Sequence, residues 1–284
     1  MLKFAVIGDP ITHSLSPLMY SVFFDYYHLN AEYTAIQLKA DEIKDYLDGI
    51  KHAGLPGLNV TIPHKVQIIR YLDAVSEEAQ LIGAVNCIQN KDGVLIGHNT
   101  DMKGFEMSLP RSFKGGKAII LGAGGAARSV LIACIHSGCR QISIFNRTSE
   151  KADRLRAEFF AKFPNVTIRS YALDRSTLQH ELHDTQLFVN ATSIGMISDN
   201  DADIPIRPGD LHRELFVYDI VYNPPITGLI QIANQAGVDC LNGLDMLIYQ
   251  GLESLKIWLN KELPFKRSLI KRTKSELMRK LLSN

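Results

Sequence analysis

The stretch NVTIPHK, residues 59–65, starts apolar and β-branched, breaks at a proline and ends on Lys65. A primary amine held at the end of a strand by a proline turn can serve as acid, base or electrostatic anchor, whereas a lone lysine is ordinarily a solvated surface group. A partner decides between these, and the stretch IGHNTDMKG offers Asp101 beside another short β-like run. A ketone reduced by hydride becomes an alkoxide that must gain a proton, and the reverse oxidation needs a base for the hydroxyl proton. An ammonium and a carboxylate facing one another can orient and shuttle that proton, with the carboxylate fixing the ammonium. An ordinary lysine titrates near about 10.4 and is a poor base at neutral pH, so the acid role in the reducing direction is the easier one to support.

Hydride chemistry needs a carrier. LGAGGAARS sets Gly122, Gly124 and Ala127 in G-x-G-x-x-A spacing directly after the strand-like KAIIL, opening an apolar helix. That strand-turn-helix context is what gives a glycine-rich turn meaning as a dinucleotide fingerprint. Small residues let the backbone approach the pyrophosphate, whose charge sits at the helix N-terminus. The next strand, QISIF, ends in Asn146, Arg147 and Thr148, about where an NAD enzyme carries an acid for the ribose 2′-hydroxyl. No acid stands there. A cation with two small polar groups suits a 2′-phosphate, so NADP is favoured over NAD; a surface arginine after a strand is the plainer alternative.

Other polar groups cluster around these two. HSLSPLM places Ser14 and Ser16 on a loop feeding a helix, with Pro17 suited to the first helical position. Ser16 either caps that helix or, with Ser14, offers hydroxyls to a carboxylate at the helix N-terminus, and the residues alone leave both open. IGAVNCI adds Asn86, and Asn99 and Thr100 immediately precede Asp101. His13, His64 and His98 each lie beside a motif but share no metal spacing, and the default for each is a loop side chain bonded to backbone. There is no G-x-S-x-G elbow to support a hydrolase triad.

The elements that must position these residues follow from periodicity. KFAVIG, AEYTAIQL and GLNVTI read as strands separated by helical stretches, and a denser series starts at Lys117. The fold class is therefore α/β with two domains, each around a mainly parallel sheet, the second of the nucleotide-binding kind. The proline and paired glycines of MSLPRSFKGGK mark the junction, giving a first domain over 1–103, completed by 244–284, and a second over 104–243. Leu244, Ile248, Leu252, Leu255 and Leu259 recur at helical spacing, and the basic tail beyond Pro264 reads as a solvated terminal helix. The 31 lysines and arginines nearly cancel the 30 aspartates and glutamates, which argues against nucleic acid and for a small-molecule partner. Four cysteines without C-x-x-C spacing read as reduced core thiols rather than metal ligands. The N-terminus lacks a signal-peptide layout and no stretch is long and apolar enough for a membrane span, so a cytoplasmic protein is expected.

Taken together, SLSP, NVTIPHK, IGAVN, NTD, GAGGAA, NRT, NATSIGM, YDIVYNP and MLIYQG, in this order, resemble the shikimate dehydrogenase family over nearly the whole chain. The resemblance implies an N-terminal substrate domain, an NADP-binding Rossmann domain, a C-terminal helix returning to the first domain, and a site in the cleft between. It implies reversible NADPH-dependent reduction of 3-dehydroshikimate to shikimate, a step towards the aromatic amino acids. Lys65 and Asp101 then match the catalytic pair, Ser14 and Ser16 the carboxylate site, and Thr61, Asn86 and Gln250 the ring-hydroxyl partners, with Tyr222 nearby. Gly122, Ala123, Gly124, Gly125, Ala126 and Ala127 match the pyrophosphate cradle; Asn146, Arg147 and Thr148 the 2′-phosphate site; and Met196, Val221 and Gly243 the nicotinamide site. Tyr20, Cys87 and Gly251 depart from the family's frequent histidine, threonine and alanine. A quinate-accepting sister enzyme and a non-catalytic NADP-sensing regulator are the competing readings, and monomer and homodimer are both open.

Overall fold

Runs of β-branched residues alternate with amphipathic ones, and the computed structural model, which describes residues 1–196 and 203–283, folds them into two compact α/β units. One comprises Met1–Met107 with Leu247–Asn284, the other Ser108–Met246.

The first unit begins with β1 (Leu2–Gly8), α1 (Ser16–Tyr26), β2 (Ala31–Gln37), α2 (Ile43–His52), β3 (Gly57–Val60), β4 (Ala74–Val75), α3 (Glu77–Ile82), β5 (Cys87–Lys91), β6 (Val94–His98) and α4 (Asp101–Ser108). Its sheet order is β2-β1-β3-β5-β6-β4. Three pairings are parallel, but β5 runs antiparallel to both of its neighbours. The mainly parallel sheet expected from sequence therefore carries one reversed strand, for a local reason. Asp92 (φ 53°) and Gly93 (φ 87°) both occupy the left-handed region. That is the geometry of a two-residue type I′ hairpin loop, for which Asp-Gly is a favoured pair.

The second unit continues with β7 (Lys117–Leu121), α5 (Gly125–His136), β8 (Gln141–Asn146), α6 (Ser149–Lys162), β9 (Thr167–Ala172), α7 (Arg175–Leu182), β10 (Leu187–Asn190), β11 (Phe216–Asp219), α8 (Gly228–Ala236) and β12 (Asp239–Asn242). Every pairing is parallel, in the order β12-β11-β10-β7-β8-β9. β7, β10 and β11 are buried along their whole length, as strands covered by helices on both faces must be. The strand order reverses between β7 and β10, the point where doubly wound sheets hold ligands at their carboxyl ends.

The chain ends with α9 (Leu244–Leu259) and α10 (Arg267–Leu282). Residues of β1 alternate between two cores. Ala5 and Ile7 join Ile43, Leu47 and Ile50 of α2, whose i, i+4, i+7 spacing makes one apolar stripe. Phe4, on the opposite face, stacks on Trp258 of α9 at 4.9 Å. Gly57 is needed there, because a Cβ would stand 2.1 Å from the Trp258 ring, and the indole N–H donates to the Ile88 carbonyl at 2.9 Å. Two of the unusual residues fit together: a Cβ on Gly251 would meet Met19 at 2.3 Å, and the buried Tyr20 hydroxyl donates to the Gly251 carbonyl. The tail is not wholly solvated. Leu269, Thr273, Leu277 and Leu281 form a buried stripe, α10 packs against α1, and Arg272 pairs with Asp25 at 2.6 Å. Among the described residues no helix is long and apolar enough to cross a membrane.

Candidate active site

In the first unit, β1, β3 and β6 run in one direction, so the loops that follow them leave the same edge of the sheet. The loop after β1 carries Ser14 and Ser16, the turn after β3 carries Thr61 and Lys65, and Asp101 follows β6. β5 points the other way, which brings Asn86, just before its first residue, to that edge as well. The turn is held by its backbone. Thr61 N–H donates to Ile7 O, His64 N–H to Thr61 O, and Val85 N–H to the Lys65 carbonyl at 2.8 Å.

Lys65 Nζ donates to Asp101 Oδ2 at 2.6 Å, with side chains only 13% and 6% exposed. Asp101 opens α4, where the positive end of the helix dipole favours a carboxylate, and Asn99 Oδ1 accepts the Met102 amide in the same turn. The second carboxylate oxygen accepts from Asn86 Nδ2 at 2.9 Å. Asn86 is itself clamped: its Oδ1 accepts the Thr100 amide at 2.6 Å, and its Nδ2 also faces Thr100 Oγ1 and Gln250 Oε1. Behind it lies a buried polar chain. Asn59 Nδ2 donates to the Asn86 carbonyl and to Ser254 Oγ, while the Tyr20 and Tyr33 hydroxyls donate to Asn59 Oδ1. Asn59 and Ser254 carry no assignment from the motifs, although an asparagine inside the otherwise apolar, fully buried β3 is the signal that could have found them.

Ser16 does not cap α1. It is the first helical residue, and Ser14 Oγ accepts its amide at 3.2 Å. Because Pro17 tolerates the first turn, the helix begins one residue earlier than a Ser16 cap would allow. Among the described residues the Ser16 hydroxyl makes no hydrogen bond. The histidines separate. His13 is exposed; His64 is fully buried, with Nε2 2.6 Å from the Leu38 carbonyl and Nδ1 2.8 Å from Gln67 Nε2, so both ring nitrogens serve structure. Burial holds His98 below the usual imidazole range, and its Nε2 has no partner among the described residues.

In the second unit all the remaining candidates sit at the carboxyl ends of the strands. Residues 122–127 follow β7, Asn146 ends β8 with Arg147 and Thr148 just after it, Met196 lies in the connection after β10, Val221 and Tyr222 follow β11, and Gly243 follows β12. Gly122 takes φ 108°, and a Cβ on it would press on the Ala191 carbonyl at 2.9 Å; a Cβ on Gly243 would stand 1.9 Å from the Ile220 carbonyl. Gly124 faces open space at the start of α5 and no side chain caps that helix, so its first amides are available to an anion. These residues fit a dinucleotide pyrophosphate. Arg147 is exposed, and the likewise exposed Lys151, in the first turn of α6, adds a second cation that the motif reading did not single out.

Asp219, the last residue of β11, is fully buried. Burial pushes its carboxyl up to about 6, against three donors that favour the ionised form: Thr227 Oγ1 at 2.6 Å, Val221 N–H at 3.0 Å and Asn190 Nδ2 at 2.9 Å. Between its ordinary value of 3.8 and about 6 the folded chain keeps a proton that the unfolded chain has released. This group's contribution to stability is therefore full below 3.8 and is lost as pH rises to about 6. The loss is on the order of 3 kcal/mol. Urea unfolding of the wild type and Asp219→Asn between pH 4 and 7 reads it as a difference: the variant gains relative stability as pH rises, and parallel pH profiles would remove the assignment.

With this geometry in place, family models decide the kinship: residues 6–88 match the shikimate dehydrogenase substrate binding domain, 105–236 the shikimate/quinate 5-dehydrogenase model and 243–267 the shikimate 5′-dehydrogenase C-terminal domain. The chain belongs to the shikimate dehydrogenase family. Among its relatives, the NADP(+) shikimate dehydrogenase of Alkaliphilus metalliredigens is 38% identical over 262 residues, covering 91% of this chain and 92% of that protein. The Listeria monocytogenes shikimate 5-dehydrogenase, solved with shikimate and NAD, superposes with a TM-score of 0.86 at 35% identity, over 98% of this chain and 96% of that one. The Thermus thermophilus enzyme, solved with NADP(H) and shikimate, gives 0.83 at 33% identity, over 97% and 99%. The α/β architecture of both units is thus that of a shikimate dehydrogenase.

Proposed function

We propose that this chain catalyses the reversible NADPH-dependent reduction of 3-dehydroshikimate to shikimate, with Lys65 and Asp101 as its catalytic pair. The observation that carries this reading is the 2.6 Å Lys65–Asp101 contact, buried on both sides and set at the edge of the sheet from which the other polar candidates issue. The bound dinucleotide supplies the hydride. Lys65 gives an ammonium proton to the forming alkoxide in reduction and, as the resulting amine, takes the hydroxyl proton back in oxidation, while Asp101 fixes the nitrogen through one oxygen. Asn86 orients the other oxygen, and with Thr61 and Gln250 it takes the ring hydroxyls, with Tyr222 nearby. Ser14 and Ser16 hold the substrate carboxylate; the unpaired Ser16 hydroxyl and the start of α1 both favour an anion there.

Residues 122–127 cradle the pyrophosphate, and Met196, Val221 and Gly243 line the nicotinamide site. Asn146, Arg147 and Thr148, helped by Lys151, take the 2′-phosphate. On this reading the protein is a cytoplasmic enzyme whose partners are these two small molecules. Arg147→Ala is expected to cut the preference for NADP over NAD by about ten- to a hundredfold, the worth of charged hydrogen bonds to the phosphate. The ratio of kcat/KM for the two cofactors measures it, and an unchanged ratio would place Arg147 outside the site. The function itself is tested by mixing the protein with shikimate and NADP and following absorbance at the NADPH band, with quinate in parallel. NADPH formation with shikimate is expected, and its absence with both substrates would leave a non-catalytic NADP-binding protein.

A further inference from the structure

Three polar side chains, at the ends of β10 and β11 and at the start of α8, are buried more completely than any polar residue assigned to the reaction: Asp219 and Asn190 are 0% exposed and Thr227 is 1% exposed. They are saturated with hydrogen bonds, nearly all to the two loops that follow β10 and β11. Asn190 Oδ1 accepts the Thr192 amide at 3.1 Å and its hydroxyl at 2.6 Å; Thr192 Oγ1 accepts the Ile194 amide at 3.0 Å; and Asn190 Nδ2 donates back to the Ile194 carbonyl at 3.0 Å. The loop leading to Met196 is thus wound around one side chain. The second Asn190 Nδ2 hydrogen goes to Asp219 Oδ1, which also accepts the Val221 amide, and Asp219 Oδ2 accepts the Thr227 hydroxyl. Thr227 closes the circle. Its Oγ1 caps α8 by accepting the Ile230 amide at 3.2 Å, and its side chain packs against Gly195, whose φ of 94° turns the chain into Met196.

Thr227 alone caps α8, as Ser76 and Asp174 cap α3 and α7 without a buried carboxylate behind them, so capping does not account for the cost of burying Asp219. An apolar side chain would complete the packing of β11 without that cost. What it would not do is hold two separate loops to one point, which a carboxylate with two acceptor oxygens does.

We propose that Asp219 is a positioning residue which, through Asn190 and Thr227, locks the loops carrying Met196 and Val221 into their binding conformation before any dinucleotide arrives. This rests on the reading above that Met196 and Val221 flank the nicotinamide. The preformed loops lower the ordering cost of binding, so the effect appears in cofactor affinity and not in substrate KM.

Hydrogen–deuterium exchange on the ligand-free protein tests the lock directly, and NADP binding by calorimetry tests its purpose. Asp219→Ala is expected to speed exchange of residues 191–196 and 220–222 more than tenfold over that of β7 and β8, and to weaken NADP binding about tenfold. KM for shikimate should stay within twofold. Asp219→Asn restores both readouts to within about threefold of wild type, because its carboxamide oxygen still accepts from Asn190 and Val221 while its NH₂ donates to Thr227. If Asp219→Ala fails to fold, Thr227→Val, which removes the Oδ2 partner together with the α8 cap, should shift both readouts about threefold in the same direction. Unchanged exchange, or faster exchange with unchanged NADP affinity, overturns the proposal. Failure of the wild type to bind NADP overturns instead the reading on which it rests, whatever the exchange pattern.

Discussion

Lys65→Ala is expected to lower kcat by about 10²–10⁴-fold, the usual worth of a positioned general acid or base, while KM for shikimate stays within a few-fold. The reason is geometric. Lys65 Nζ sits 2.6 Å from Asp101 Oδ2 in a nearly water-free setting, and the carboxylate is held from its other side by Asn86 at 2.9 Å. The ammonium therefore has one orientation and a proton aimed away from Asp101. On the proposed roles, alanine removes the proton donor but leaves Ser14, Ser16, Thr61 and Gln250 in place, so ground-state binding is expected to be largely kept. Asp101→Asn is milder, because the amide oxygen can still accept from Lys65. Steady-state kinetics in both directions check this, and a large rise in KM at constant kcat would make Lys65 a binding group.

Lys117→Met is expected to destabilise the second unit by about 3–5 kcal/mol, the cost of stranding a buried charge. Lys117 Nζ contacts Glu181 Oε2 at 3.0 Å, the Glu181 carbonyl at 2.9 Å and Asp184 Oδ1 at 2.6 Å, and the Lys117 and Glu181 side chains are only 7% and 6% exposed. Burial raises the Glu181 carboxyl, but hydrogen bonds from Ser143 at 2.6 Å and from Lys117 outweigh it and hold it below its ordinary range. Without Lys117, Ser143 and Tyr171 are the hydrogen-bond donors left to that charge among the described residues. Adding Glu181→Gln to Lys117→Met removes the charge but keeps an acceptor, and should recover much of the loss. Urea unfolding must be followed by far-UV circular dichroism or by exchange of β7 and β8, because the only tryptophan, Trp258, lies in the first unit. Equal stability of the single variant and wild type would show that the pair contributes nothing net.

Several features were legible in the residues because they depend on local chemistry. The turn of residues 122–127 needs small residues and an open helix start, and both are written in GAGGAA. Arg147 in place of an acid after β8 carries the proposed NADP preference, which is read without any tertiary contact. The buried stripe of α9 follows from leucines at helical spacing. What was missed depends on partners distant in the chain. Asp-Gly at 92–93 could have announced the hairpin that reverses β5, yet only the sheet shows that this reversal carries Asn86 to the edge where Lys65 and Asp101 stand. Residue type leaves Ser16 open between capping and carboxylate binding; the backbone starts α1 at Ser16 itself, with its amide on Ser14 Oγ, since capping depends on where the helix starts and not on residue type alone.

By itself the order of residues determined the two α/β units, the dinucleotide turn and the chemical types at each position, since these rest on periodicity and steric size within short windows. Tertiary structure alone decided which of those groups meet. Lys65 and Asp101 are 36 residues apart, Asn86 and Gln250 are 164 apart, and Asn190 and Asp219 are 29 apart. Hydrogen bonds act over about 3 Å, and only strand order brings such separations within that reach.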